Sequence, residues 1–182
     1  MPRTLRRQTR SLNLEIRELD AVGARTCITE LAELLIDCVD GGASLGFPSP
    51  LGYDVAVGYW RDAADSVESG RAVLLVAGDP IVGTVQLHSS TYPNGRHRAE
   101  VAKLLVHSSA RNQGLGTRLM EAVEREAVSR GKTLLILDTQ TGSGAEYLYR
   151  KLGWERAGVI PDFAFTPFGQ LASSTFFFKR VR

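Results

Sequence analysis

The sequence predicts an α/β protein built on a mixed sheet. Three observations carry this. Apolar runs with strand periodicity alternate with stretches whose apolar residues recur at helical spacing. At the centre these segments follow the order ββαβα, with antiparallel connections before and after. The stretch Thr133–Asp138 is almost wholly apolar, as a strand buried in a parallel pair should be.

The elements follow in order. Residues 12–19 alternate apolar and polar, which predicts a first strand. Ala24 to Val39 carries Ile28, Leu31, Leu34, Leu35 and Cys38 at helical spacing, one amphipathic helix. Gly41–Gly52 is a glycine and proline loop too long to serve only as a connector. Tyr53 to Glu68 predicts a second helix. Ala72–Ala77 and Ile81–His88 are apolar strands joined by the turn Gly78-Asp79-Pro80. Tyr92-Pro-Asn-Gly95 is another turn, and Arg98–Val106 the long strand after it. The next helix shows Leu115, Leu119, Ala122, Val123 and Ala127 on one face and ends near Gly131. Ser143-Gly-Ala-Glu146 is a capping-box pattern opening a helix that stops at Gly153. Two last strands, near Trp154–Ile160 and Ser174–Val181, flank a loop rich in proline and phenylalanine. No repeat or linker divides the chain, so residues 12–182 are expected to form a single domain behind a basic tail, residues 1–11.

Composition narrows the function. Arg3, Arg6, Arg7 and Arg10 precede the first acidic residue; taking those four from the net charge of +2 leaves −2. The remainder is not a basic nucleic-acid platform. No apolar run is long enough to span a bilayer. Cys27 and Cys38 stand eleven positions apart, about 16 Å along one helix and too far for a disulfide. This fits a reduced, cytoplasmic protein. His88, His97 and His107 are scattered without ligand spacing, so no metal is expected.

The most telling stretch runs from Val101 to Thr117, where a strand passes through the basic turn Arg111-Asn-Gln-Gly114-Leu-Gly116 into a helix. A helix start offers unpaired N–H groups and the positive end of its dipole, a seat for a phosphate-bearing ligand. Gly114 and Gly116 lack a Cβ that would hold such a ligand off the backbone, and Arg111 adds a forked donor. A dinucleotide site fits poorly, since no third glycine follows at the required spacing and no phosphate-loop lysine is present.

This run resembles the coenzyme loop of the GNAT family of N-acetyltransferases, Arg/Gln-x-x-Gly-x-Gly/Ala after a strand. Leu148-Tyr149-Arg-Lys-Leu-Gly153-Trp154 resembles the family's second signature, although relatives often begin that signature with asparagine where this chain has Gly142. The resemblance implies the GNAT fold: a mixed sheet splayed between two parallel strands, with helices on both faces. It further implies an acyltransferase that uses acetyl-coenzyme A. The pantetheine arm would bond the backbone of Leu104, Leu105 and Val106 like an added strand. The pyrophosphate would lie on the amides of Asn112, Gln113, Gly114, Leu115, Gly116 and Thr117, with Tyr149 facing the coenzyme sulfur.

Three residues are candidates for the chemistry. Tyr149 could donate to the departing thiolate or simply pack as a buried aromatic. Glu100, inside an apolar strand on the expected face of Ala102 and Leu104, could take the proton from an ammonium substrate or pair with Arg98 or Lys103. Asp138 could share that task or cap a loop. Scattered segments resemble the tabtoxin-resistance branch of the family over most of residues 40–180, among them Gly41-Gly-Ala-Ser44, Arg98-Ala-Glu-Val101, Lys103-Leu104 and Leu137-Asp-Thr139. That likeness implies that Glu100 and Asp138 hold and deprotonate an amine. The implied acceptor is a small amino-acid-like molecule such as a β-lactam toxin, with antibiotic resistance as one role. Gly41–Tyr53 and Pro161–Gly169 would wall the acceptor side with Phe47, Tyr53, Phe163, Phe165 and Phe168, unless these anchor loops to the core or make a dimer contact. Protein or peptide acetylation, and non-catalytic acyl-coenzyme A sensing, are the competing readings. Monomer and homodimer both remain open.

Overall fold

The computed structural model describes residues 14–182; the basic tail and the first two residues of the predicted first strand lie outside them. The elements are β1 (Ile16–Leu19), α1 (Ala21–Thr26), α2 (Ile28–Asp40), α3 (Tyr53–Glu68), β2 (Ala72–Ala77), β3 (Gly83–Ser89), β4 (Arg98–Val106), α4 (Leu115–Ser129), β5 (Leu134–Gln140), α5 (Gly144–Lys151), β6 (Glu155–Phe165) and β7 (Leu171–Arg180). The strands form one seven-stranded sheet in the order β1-β2-β3-β4-β5-β7-β6. Every pairing is antiparallel except β4 with β5. This is the α/β architecture with a mixed sheet that the sequence predicts.

Helices cover both faces because the central strands are apolar on both. On β2, Val73 and Leu75 join the cluster that takes in Leu119, Met120 and Val123 of α4 and Tyr149 of α5. Leu74 and Val76 join the opposite cluster with Leu31, Leu35 and Trp60 of α2 and α3. A strand alternates sides with period two, so a run with no polar residue serves two cores at once. No helix among the described residues is long and apolar enough to cross a membrane.

Three expectations need correction. The single helix over Ala24–Val39 is two helices, α1 and α2, which meet at Cys27 with φ −92° and ψ 12°. Each piece carries its own apolar face, so the periodicity reads through the break. The loop expected over Pro161–Gly169 is mostly strand, since β6 runs to Phe165. Pro161 is tolerated because β6 is an edge strand and because the register shifts between Ile160 and Ala164, where Asp162 has φ 50°. Glu100 does not share a face with Leu104. Ala99, Val101, Leu104 and Val106 all pack on the α4 side, whereas Leu105 packs on the α2–α3 side. The cause is a bulge: Ala102 and Leu105 pair with Gln86 and Thr84, leaving one extra residue on β4, and Lys103 there takes a left-handed φ of 50°.

Candidate active site

β4 and β5 pair at Arg98↔Leu134, Ala99↔Leu135 and Glu100↔Ile136, and there the ladder ends. Beyond that point β4 stays with β3 as far as Val106↔Gly83, and β5 stays with β7 as far as Gln140↔Ser174. Each strand follows its outer neighbour, so the two part and leave unpaired backbone edges facing each other. The gap opens into a cleft of about 710 Å³. Leu104, Leu105 and Val106 line one side, Thr139, Ser143 and Tyr149 the other, and the start of α4 closes one end. A second cavity of about 260 Å³ continues from it, sharing Ser44, Leu45, Lys103 and Asp138 and adding Glu100, Phe163 and Ser174.

The start of α4 is built to leave its amides bare. Gly114, the residue before the helix, has φ 77° and no side chain caps the first turn. Asn112 also has positive φ, 61°. Leu115 is buried in the core and fixes the helix there. The glycines differ in purpose from the expectation. Gly114 supplies a left-handed turn with open space where its Cβ would stand, while a Cβ on Gly116 would come within 3.3 Å of Leu148 on α5. Gly116 thus allows the close approach of α4 and α5. Gln113 turns away from the cleft and donates to the Ser109 carbonyl at 3.2 Å.

Arg111 lines the cleft but is held from behind. Its Nε donates to the Val106 carbonyl at 3.1 Å, and its guanidinium stands 3.8 Å from the Asp37 carboxylate. Asp37 also accepts from the Ser108 amide and hydroxyl, at 2.8 and 2.7 Å. Burial would raise its carboxyl, but the Ser108 bonds, with His107 and Arg111, draw it below the usual range. Asp37 thereby ties α2 to the loop that precedes α4. Cys38 beside it is a buried thiol pushed up chiefly by burial, and it donates to the Val106 carbonyl at 3.6 Å.

The three chemical candidates converge on the gap from both sides. Tyr149 lines the larger cleft, its ring set 6.1 Å from those of Trp154 and Phe177. The residue packs as a buried aromatic and also forms part of the cleft wall. Burial first, then the negative charge of Asp138, pushes the phenol up to about 12. Glu100 lies in the smaller cavity, and Asp138 borders both. Burial and the charge of Asp138 raise the Glu100 carboxyl, with Lys103 opposing. Among the described residues Glu100 makes no ion pair within 4.0 Å with Arg98 or Lys103, and Asp138 accepts a 2.6 Å bond from the Ser174 hydroxyl rather than capping a helix or loop.

The two segments expected as walls, Gly41–Tyr53 and Pro161–Gly169, meet. The Ser49 amide donates to the Pro167 carbonyl at 2.9 Å, joining the loop after α2 to the β6–β7 turn. Phe163 stacks edge-on against Phe176 at 5.3 Å, and it, Phe165 and Phe168 are all exposed.

The family model described as the Acetyltransferase (GNAT) family matches residues 43–154, more than half of the chain. The chain belongs to the GNAT acetyltransferase family. A rat relative, N-acetyltransferase 8F1, is 33% identical over 104 residues, which make up 53% of this chain and 47% of that protein. The matched stretch thus spans about half the length of the curated relative. Solved structures share the fold over nearly the whole length. An N-acetyltransferase from Staphylococcus aureus superposes with a TM-score of 0.78 at 16% identity, covering 93% of this chain and 99% of that one. A ribosomal-protein-alanine N-acetyltransferase from Brucella melitensis gives 0.75 at 22%, covering 92% and 100%. A phosphinothricin acetyltransferase from Sinorhizobium meliloti, solved with acetyl-coenzyme A, gives 0.72 at 19%, covering 93% and 89%.

Within this GNAT chain, two residues of the smaller cavity were not among the sequence's candidates for the chemistry. Ser174 gives no local signal, because only the pairing of β5 with β7 brings it to Asp138. Lys103 was legible in principle, as a second charged residue inside the apolar run that holds Glu100.

Proposed function

We propose that this acetyltransferase moves an acetyl group from acetyl-coenzyme A to the amine of a small amino-acid-like acceptor, with both bound together in the gap between β4 and β5. The observation that carries this reading is the joint placement of bare α4 amides, the unpaired β4 edge and Tyr149 around the larger cleft, with Glu100 in the cavity that continues from it and Asp138 bordering both. The residues fit the coenzyme. The first-turn amides of α4 suit a pyrophosphate, and the backbone of Leu104 and Leu105 suits the amides of a pantetheine arm. The Val106 carbonyl already accepts from Arg111. When bound, the coenzyme supplies the acetyl group as an activated thioester.

The residues then divide the work. An α-ammonium with a pKa of about 8 must lose a proton before it can attack. Glu100, its carboxyl raised by burial and by Asp138, accepts that proton directly or through one water. Asp138, held by Ser174, keeps the ammonium in place. Tyr149 donates from its hydroxyl to the sulfur. A phenol at about 12 facing a thiol near ~8.5 disfavours complete transfer by roughly 5 kcal/mol, so this is a stabilising hydrogen bond rather than a delivered proton. Cys38, kept as a thiol by burial, takes no covalent part.

The tabtoxin-resistance resemblance favours a β-lactam amino acid as acceptor and resistance as one role. The cavity of 260 Å³ supports a small acceptor, as it falls just under the ~300 Å³ at which pockets for drug-sized ligands begin. The Ser49–Pro167 bond closes the wall that a peptide groove would need open. The same reading makes residues 12–182 a single catalytic domain of a cytoplasmic enzyme, monomeric or homodimeric. Thiol release from acetyl-coenzyme A, measured with and without each member of an amine library, tests it. Amine-dependent release is expected; release at the same rate without any amine overturns it.

A further inference from the structure

Lys103 is the third ionisable side chain of the acceptor cavity, beside Glu100 and Asp138. Its position is unfavourable twice over. It is a long side chain on a backbone with φ 50°, and it is partly buried, which lowers its pKa against the opposing charges of Glu100 and Asp138. Backbone strain of this kind persists where the surroundings enforce it and collects at binding sites. Lys103 forms no ion pair within 4.0 Å among the described residues. Its ammonium donates to the Leu45 carbonyl at 3.0 Å and stands over the rings of Tyr59 and Phe47, at 5.2 and 5.8 Å from their centroids. That carbonyl is the one hydrogen-bond acceptor the ammonium has among the described residues, so it keeps donor capacity for a ligand.

We infer that Lys103 is the specificity-determining residue of the acceptor cavity, and that it binds a carboxylate of the substrate while Glu100 and Asp138 hold the amine. The inference rests on the acetyltransfer proposed above and narrows its acceptor to molecules carrying both charges. An amine without an anion leaves the buried ammonium with no ionic partner in direct contact, and so is bound less well. The bulge is what makes this possible: it turns Lys103 toward Leu45 and Tyr59 without displacing Glu100 from its register with His88.

The test compares diaminobutyrate, ornithine and lysine with their α-carboxamides, which match them in size and lack the charge. The wild-type enzyme is expected to prefer the carboxylates by about 30- to 100-fold in kcat/KM. In Lys103→Met the preference falls to near unity, and Lys103→Arg restores part of it. Calorimetry with acetyl-coenzyme A confirms that each variant is folded. A wild-type enzyme that does not distinguish the two sets overturns the inference. So does a Lys103→Met enzyme whose activity drops equally on both, because a latch for Leu45 alone would act that way. Turnover without charge preference defeats this inference alone; no turnover with any amine, while coenzyme still binds, defeats the acetyltransfer reading as well.

Discussion

Ser174 Oγ stands 2.6 Å from Asp138 Oδ2 and 2.9 Å from the Thr139 carbonyl. A hydroxyl has one proton to give, and the charged, nearer oxygen takes it. The serine therefore fixes the carboxylate that borders both cavities. Ser174→Ala is expected to lower kcat/KM for the amine by about tenfold, the value of one hydrogen bond to a charged group, with coenzyme affinity unchanged. Unaltered kinetics would remove Asp138 orientation from the mechanism.

Glu100→Gln should lower kcat/KM for the amine by about 10²-fold or more and abolish the acidic limb of the pH profile. Stability should move the other way. The carboxyl is raised in the folded protein, so its contribution is complete below the unfolded value near 4.5 and is lost as pH rises through the folded value. At pH 8 the wild type carries a poorly solvated charge that the glutamine lacks. The variant's Tm should exceed that of wild type at pH 8, and the difference should shrink toward pH 4. A Tm deficit at pH 8 contradicts the burial argument.

Tyr149→Phe keeps the ring against Trp154 and Phe177 and removes only the hydroxyl. A fall in kcat of about 10²-fold with near-native Tm is expected. If kcat holds and Tm drops, the residue is a packing element.

Two glycine substitutions separate backbone shape from helix packing. Gly114→Val puts a branched side chain at φ 77° with no neighbour to strike, so its cost of roughly 1–3 kcal/mol is conformational and falls on the turn before α4. Coenzyme affinity should weaken with kcat little changed at saturation. Gly116→Val meets Leu148, the residue before Tyr149, and should lower kcat as well. Calorimetry and saturation kinetics on both variants check the split; identical profiles would show that the two glycines do one job.

Much of this was legible in the residues. β2, β4 and α3 fall on the predicted spans, because Ala72–Ala77 and Arg98–Val106 are bounded by turns and Tyr53–Glu68 by a glycine. The capping pattern at α5 is present, with the Ser143 hydroxyl accepting from the Glu146 amide and the Glu146 carboxylate accepting from the Gly142 amide. What escaped depends on partners distant in sequence. Strand periodicity carries no mark of the extra residue at Lys103, since the bulge is defined only against β3. The strand identity of Pro161–Phe165 depends on its lying at the sheet edge, where a missing N–H costs nothing. Arg111 reads as a ligand for anions from its motif, and only the folded α2 supplies the Asp37 that holds it.

β7 is the last strand in sequence yet sits between β5 and β6. A chain in which Leu171–Arg180 has not yet docked leaves β5 with one flank naked, and Asp138 without its serine. While that flank is bare, the apolar run Leu134–Leu137 invites pairing with foreign strands, so refolding at high concentration is the step most open to aggregation.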